Sequence, residues 1–261
     1  MNKIIVGILP QCNLKFEEDP YQDKYVVINN YPKRIMEQGA ISIALLMNDG
    51  ALDEDVLNIC DAFLLPGGRR IEKTQFQIIE HAIKNNKPVL GICCGMQSMA
   101  IYSMLKERLE KDGVESITFK DICNKFDALK KEKYIFLKKL ETDNVHGEYV
   151  TNNEFIPSIS NISKFTHQVN INNNSVLYDV YKKNSIQVQS LHRYSVFEYG
   201  NIFNVTAYAD DNVIEGLEYK EKELFIVGVQ FHPEILPNNP LIKRFIEEAK
   251  KRKNNWQYKS N

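Results

Sequence analysis

The segment Gly91-Ile92-Cys93-Cys94-Gly95-Met96-Gln97 places a thiol directly after the apolar run Pro88-Val89-Leu90 and just before the helical run Ser98 to Leu105. A cysteine at a turn from strand to helix meets two physical requirements of a nucleophile. Flanking glycines remove Cβ atoms from a sharp turn, so the side chain can stand exposed above a sheet. The N-terminus of the following helix favours thiolate, because its unpaired N–H groups and dipole stabilise negative charge. Read alone, the same segment also describes two small buried hydrophobes, the commonest fate of cysteine.

A thiol nucleophile needs a base and a group to orient that base. Near the other end of the chain, the strand pattern Phe225 to Phe231 delivers His232-Pro233-Glu234 at its C-terminal tip. Carboxyl ends of strands are where open α/β sheets build their sites. His232 can serve as base, and Glu234 as the carboxylate that fixes its tautomer. A third segment, Leu64-Leu65-Pro66-Gly67-Gly68, ends a strand in glycines whose N–H groups are free to face a ligand. The N–H groups of Gly68 and Cys94 could then form an oxyanion hole, worth ~3 kcal/mol per donor, although Pro-Gly-Gly also describes a simple turn. Val188 to Tyr194 is a strand ending in a polar cluster with a second histidine, His192; it reads as a recognition edge or as a loop.

The elements that must position these groups follow from periodicity. Strands are expected at Lys3–Leu9, Ile41–Met47, Ala62–Leu65 and Pro88–Ile92, alternating with helices at Tyr31–Gln38, Asp53–Ile59 and Gln75–Lys84. Strands that are apolar on both faces and alternate with helices require a parallel sheet covered on both sides. Strands return at Ile186–Gln189, Phe203–Ala209, Val213–Tyr219 and Leu224–Val229, and a closing helix runs from about Pro240 to Lys251. Between them, residues 105–164 are rich in Lys, Glu and Asn, with periodic segments at 104–109 and 126–134, and read as a helical cap or insertion. The whole is expected to be one domain over 1–261.

Composition narrows the partners. The chain has 33 Lys and Arg against 34 Asp and Glu, which gives no field to attract nucleic acid or an anionic membrane, so a small molecule is the expected ligand. Its longest N-terminal apolar stretch, Ile4 to Leu9, falls far short of the ~20 residues of a bilayer span. Five cysteines, an odd number without framework spacing, argue against a disulfide-stapled secreted fold. A cytoplasmic location is the expectation.

The ordered set LLPGG, GICCGMQ, VQSLHRY and GVQFHPE resembles the class I glutamine-amidotransferase-like superfamily, most closely its gamma-glutamyl-gamma-aminobutyrate hydrolase family of cysteine peptidases, peptidase family C26. The stretches Tyr31–Leu46, Phe165–Asn170 and Ala207–Glu218 share in the resemblance. It implies a flavodoxin-like α/β fold with a mostly parallel central sheet flanked by helices and a nucleophile elbow. It also implies Cys93 as nucleophile, His232 as general base and acid, Glu234 as its partner, and Gly68 and Cys94 as oxyanion donors. Gln97 matches a position that helps hold the γ-glutamyl end. Ser190, Leu191, Arg193 and Tyr194 match backbone positions that bind the α-amino and α-carboxylate groups, and His192 matches a histidine beside the site.

The implied reaction is hydrolysis of a γ-glutamyl amide through a Cys93 thioester, with no metal or organic cofactor. Two other readings stay open: a glutaminase supplying ammonia to a separate synthetase, and a catalytically silent binding protein. A second copy of the chain or a synthetase is the protein partner left open. Departures from the family surround the expected pocket mouth. Cys94 stands where the hydrolases often carry Arg, and the loop from Gly68 to Gln75 is short and begins with Arg69-Arg70.

Overall fold

The computed structural model describes residues 3–13, 24–47, 50–141, 146 and 166–259. In chain order its strands are β1 (Ile5–Ile8), β2 (Gln11–Asn13), β3 (Lys24–Val26), β4 (Ile41–Ala44), β5 (Ala62–Leu65), β6 (Val89–Ile92), β7 (Lys138–Lys139), β8 (Thr166–Ile171), β9 (Ser185–Gln189), β10 (Tyr194–Ser195), β11 (Phe203–Ala209), β12 (Ile214–Tyr219) and β13 (Ile226–Val229). The helices are α1 (Asn30–Glu37), α2 (Glu54–Ile59), α3 (Lys73–Lys84), α4 (Cys94–Lys111), α5 (Phe119–Lys131), α6 (Val176–Tyr181) and α7 (Pro240–Lys259).

β5, β6 and β13 are four-residue runs with every residue buried, the signature of strands covered on both faces. They sit inside a nine-stranded sheet of order β4-β1-β5-β6-β13-β12-β11-β8-β9. From β4 to β13 all neighbours pair parallel. Each pairing from β13 through β12, β11 and β8 to β9 is antiparallel. Direction therefore reverses only at β12 and β8, and seven of the nine strands run the same way. The mostly parallel sheet with flanking helices is the fold expected.

One core layer gathers Phe76 and Ile79 of α3, Met96 to Leu105 of α4 and Ile122 and Phe126 of α5. The opposite layer gathers Tyr31 and Ile35 of α1, Leu177 of α6 and Leu241, Ile242 and Phe245 of α7. Each such side chain stabilises by roughly 1.5–3 kcal/mol when fully buried, so both sheet faces are held by comparable apolar layers.

Within the segment 105–164 the described residues hold the end of α4, all of α5 and β7. Residues 105–111 continue α4 without a break, and α5 packs inward through Phe126, whose ring lies 5.1 Å from that of Phe76. Its N-terminus is closed by a reciprocal cap between Thr118 and Asp121. Apart from His146, residues 142–164 of the expected insertion lie outside the described residues.

Candidate active site

β6 ends at Ile92 and α4 begins at Cys94, so Cys93 alone makes the turn between them. It takes φ 52° and ψ −105°, a backbone state that costs a non-glycine residue on the order of 1–3 kcal/mol. The turn is over-determined from both sides. Cys93 N–H donates to Val229 O at 2.8 Å, and Gln97 N–H donates to Cys93 O at 3.0 Å. Gly95 is required next to it, because a Cβ there would lie 2.1 Å from the backbone oxygen of Leu65. The missing side chain lets α4 start hard against β5.

β13 pairs parallel with β6, so their C-terminal ends meet at one sheet edge and bring His232 to Cys93. His232 N–H is fixed by Gln189 O at 2.9 Å. Its Nδ1 lies 2.7 Å from Glu234 Oε1, which assigns the proton to Nδ1 and turns Nε2 toward the thiol. Burial penalises an imidazolium here, but the charges of Glu234 and Cys93 outweigh it and hold His232 well above the ordinary histidine range. Gly67 packs against both partners: a Cβ on it would lie 2.9 Å from His232 Cε1 and 3.5 Å from Cys93 Cβ.

Two side chains on one face of α1 complete the arrangement, and the sequence reading did not single them out. The Tyr31 hydroxyl accepts the Gly67 N–H at 2.9 Å. Burial first, then the charges of Glu234 and Cys93, push its phenol well above its usual value, so it stays neutral. Arg34 donates from Nε to Glu234 O at 3.0 Å and from Nη2 to Ile235 O at 3.3 Å. Their signal was helical spacing, since Tyr31, Arg34 and Ile35 share the buried face of α1. Their partners lie far away in sequence.

The Gly67 N–H is thus engaged, which leaves Gly68 as the glycine donor of that turn. The Cys94 N–H belongs to the first turn of α4 and has no partner within the helix. Its side chain is engaged elsewhere: Sγ donates to Arg70 O at 3.2 Å, and burial, reinforced by the Cys93 charge, pushes its thiol up to about 12. Gln97 is buried and spends its amide N–H groups on Tyr194 O at 3.0 Å and Gln230 Oε1 at 3.2 Å, tying α4 to β10 and to the end of β13.

Ser190 Oγ donates to His146 O at 3.1 Å, and Leu191 lies half-buried beside it. Arg193 O accepts Leu140 N–H at 2.9 Å, and the Tyr194 side chain is exposed. The His192 ring turns toward the buried Glu215 carboxylate, with Nε2 3.3 Å from Oε1. His146 and His167 crowd the same carboxylate. Glu215, His146 and His167 were not singled out in the sequence, although two glutamates inside the buried β12, Glu215 and Glu218, are a visible anomaly.

Comparison with known proteins places the chain in a class. The chain is 27% identical to a glutamine amidotransferase-like protein of Rickettsia prowazekii, over 95% of this chain and 98% of that one. CTP synthases of Methanosphaera stadtmanae and Helicobacter pylori match at 27% and 30% identity over 90% and 80% of this chain. The chain spans only 43% and 39% of their lengths. Among solved structures, a protein described as a GMP synthase component from Thermoplasma acidophilum superposes with a TM-score of 0.60 at 15% identity, over 98% of this chain and 99% of that one. The glutaminase domain of Trypanosoma brucei CTPS with bound acivicin does so at 0.61 and 17%, over 95% and 94%. Together these define a class I glutamine amidotransferase-like protein. Within that class, residues 70–234 match the Peptidase C26 family, and the chain belongs to it.

Proposed function

We propose that this protein is a cysteine-dependent amide hydrolase that cleaves a γ-glutamyl amide to glutamate and a free amine. The observation that carries the reading is the short His232–Glu234 contact beside a cysteine held on a strained strand-to-helix turn. Cys93 gives its proton to His232 as Sγ adds to the amide carbonyl, and the oxyanion forms against the N–H groups of Gly68 and Cys94, worth roughly 3 kcal/mol per donor. The C–N bond then breaks as His232 donates a proton to the leaving amine, leaving a thioester on Cys93. Water attacks the thioester, gives its proton to His232, and releases glutamate with the thiol restored. Glu234 keeps the imidazole in the tautomer both steps need, and Tyr31 and Arg34 hold Glu234 and the glycine turn in place. Ser190, Leu191, Arg193 and Tyr194 frame the α-amino and α-carboxylate groups, with Gln97 bracing that segment.

A second reading, favoured by the CTP synthase relatives, uses the same chemistry on glutamine and passes ammonia to a separate synthetase. Glutamate release from glutamine and a panel of γ-glutamyl amines separates the two, with Cys93→Ala and Cys94→Ala alongside. Turnover of bulky amides by the lone protein, abolished by Cys93→Ala and retained in Cys94→Ala, is the expected result. Activity on glutamine alone, rising with a synthetase, would move the assignment to the second reading, and silence on every substrate would reject catalysis.

The exposed Arg69 and Arg70, directly after the Gly67-Gly68 turn, and the exposed Arg193 suit a carboxylate-bearing leaving amine. Arg69→Ala and Arg193→Ala should raise KM for acidic amines and leave neutral ones unaffected; equal turnover of both amine types would remove this role.

A further inference from the structure

A second constellation lies under the segment that the reaction uses for binding. His146, His167, His192 and Glu215 are 0%, 7%, 3% and 0% exposed. Glu215 Oε1 stands 3.4 Å from His146 Nδ1, 3.5 Å from His167 Nε2 and 3.3 Å from His192 Nε2. These approaches lack hydrogen-bond alignment: among the described residues His167 Nε2, His192 Nε2 and both Glu215 oxygens make no hydrogen bond. A buried carboxylate left so is costly. The four ligand atoms all lie within 4.8 Å of one another. Tetrahedral bonds of about 2.0–2.1 Å would put ligand atoms about 3.3 Å apart, close to the three separations between Glu215 and the histidines.

The outer nitrogens say where the protons are. His167 Nδ1 lies 3.0 Å from Gln168 O, and His192 Nδ1 lies 3.1 Å from Tyr194 O. A carbonyl only accepts, so each of these rings carries its proton outward and presents a lone pair to the centre. His146 Nε2 contacts both oxygens of Asp211, at 3.2 and 3.0 Å, which orients it the same way. The lone pairs of His167 and His192, converging on a carboxylate, repel it unless a cation sits among them. Histidines fixed from behind by carbonyl or carboxylate groups are how proteins orient metal ligands.

We propose that His146, His167, His192 and Glu215 bind a divalent transition-metal ion of the zinc type in a closed, structural site. Three imidazoles and one carboxylate suit zinc better than magnesium or calcium, which take oxygen ligands. Four protein ligands leave no position for a reacting water, so the ion positions rather than reacts. It joins β8 through His167 and β12 through Glu215 to the loop after β9 through His192. His146 O also accepts His192 N–H at 3.0 Å and the Ser190 hydroxyl at 3.1 Å, so the ion would fasten the 189–194 segment to the sheet. Amide hydrolysis at Cys93 does not need it, and the inference stands whether or not that reaction is right.

The test is metal analysis of the full chain, purified without a metal-binding tag. About one zinc per chain is expected, and Co²⁺ added to chelator-stripped protein should give the strong visible bands of a tetrahedral site. His167→Ala and Glu215→Gln should lose both the zinc and the bands, whereas Cys93→Ala keeps them. Asp211→Asn, on a half-exposed side chain, should weaken zinc about 10–100-fold and remains informative if a ligand variant fails to fold. Wild-type protein that binds neither Zn²⁺ nor Co²⁺ stoichiometrically overturns the proposal. So does a folded His167→Ala that retains the wild-type cobalt spectrum, or an Asp211→Asn with unchanged zinc affinity.

Discussion

At the scale of single residues, the candidate active site turns on how Glu234 sets the charge of His232. Burial opposes the imidazolium, yet the neighbouring negative charges hold it well above the usual value. A folded pKa raised in this way stabilises the protein below the unfolded value of ~6.5, and that contribution is lost as pH rises through the folded one. In the proposed reaction the same proton serves the leaving amine. Glu234→Gln should therefore move the alkaline limb of the kcat/KM profile to lower pH and reduce its plateau by roughly 10²–10⁴-fold. A limb that stays in place would remove Glu234 from this role. The remaining thiols make a second prediction. Burial pushes Cys12 and Cys60 each up to about 11, Cys94 up to about 12, and raises Cys123. Iodoacetamide near neutral pH should thus label Cys93 first, as peptide mass spectrometry would show, and His232→Ala should slow it. Preferential labelling of Cys94 would reverse the assignment made from the turn. Cys93, His232 and Glu234 could be picked out as candidates because each occupies a local pattern, a strand ending in a turn. Tyr31 and Arg34 were not, because their partners lie 36 and 200 residues away and nothing local marks them as more than a helix face.

The elements show the same division between local and distant causes. β11 was readable to the residue as Phe203–Ala209, and β5 as Ala62–Leu65, since an apolar run bounded by turn residues carries its own signal. α4 was foreseen as two pieces but runs unbroken from Cys94 to Lys111, because its first turn is set by the nucleophile geometry and not by periodicity. α5 looked like part of a solvated cap through its lysines, yet Ile122, Phe126 and Leu129 are buried. The two-residue strands β7 and β10 pair only with each other, and no pattern so short distinguishes a strand from a loop. Gly95 gives the prediction proper to this scale. Its added Cβ would meet a backbone oxygen with no rotamer to escape, so Gly95→Ala should destabilise by about 2–4 kcal/mol. Gly68→Ala meets only ordinary contacts, the nearest at 3.5 Å to a Gln11 side-chain carbon, and should leave stability nearly unchanged. Urea unfolding of the pair measures this; equal midpoints would mean that α4 does not depend on its close approach to β5. Phe126→Ala, which empties the junction with Phe76, should cost roughly 3–5 kcal/mol if α5 belongs to the core, and little if it is a detachable cap.

Across the whole molecule, the proposed reacting groups and the proposed binding segment rest on different parts of one sheet. Cys93 and His232 follow β6 and β13, adjacent central strands with every residue buried. The 189–194 segment follows β9, the terminal strand, which pairs only through β8 and has Gln187 exposed and Ile186 half-buried. Backbone amides exchange through local opening, and opening is cheapest where few apolar contacts hold a strand. Hydrogen exchange should therefore be slowest at 62–65, 89–92 and 226–229 and faster at 185–189, which among the described residues pairs on one side only. The alternation of strands and helices made the parallel half legible, because each strand there carries its own helix. The antiparallel half was less so, since β8 and α6 take their meaning from a register with β11 and from Glu218, which caps α6 by accepting Val176 and Leu177 N–H groups. If the edge strand exchanges as slowly as the centre in protein stripped of metal, the sheet alone holds the binding segment. If protection at 185–194 drops on stripping and returns with Zn²⁺ while 89–92 stays unchanged, the two halves have separate anchors: a packed core beneath the nucleophile, and the histidine–glutamate cluster beneath the binding segment.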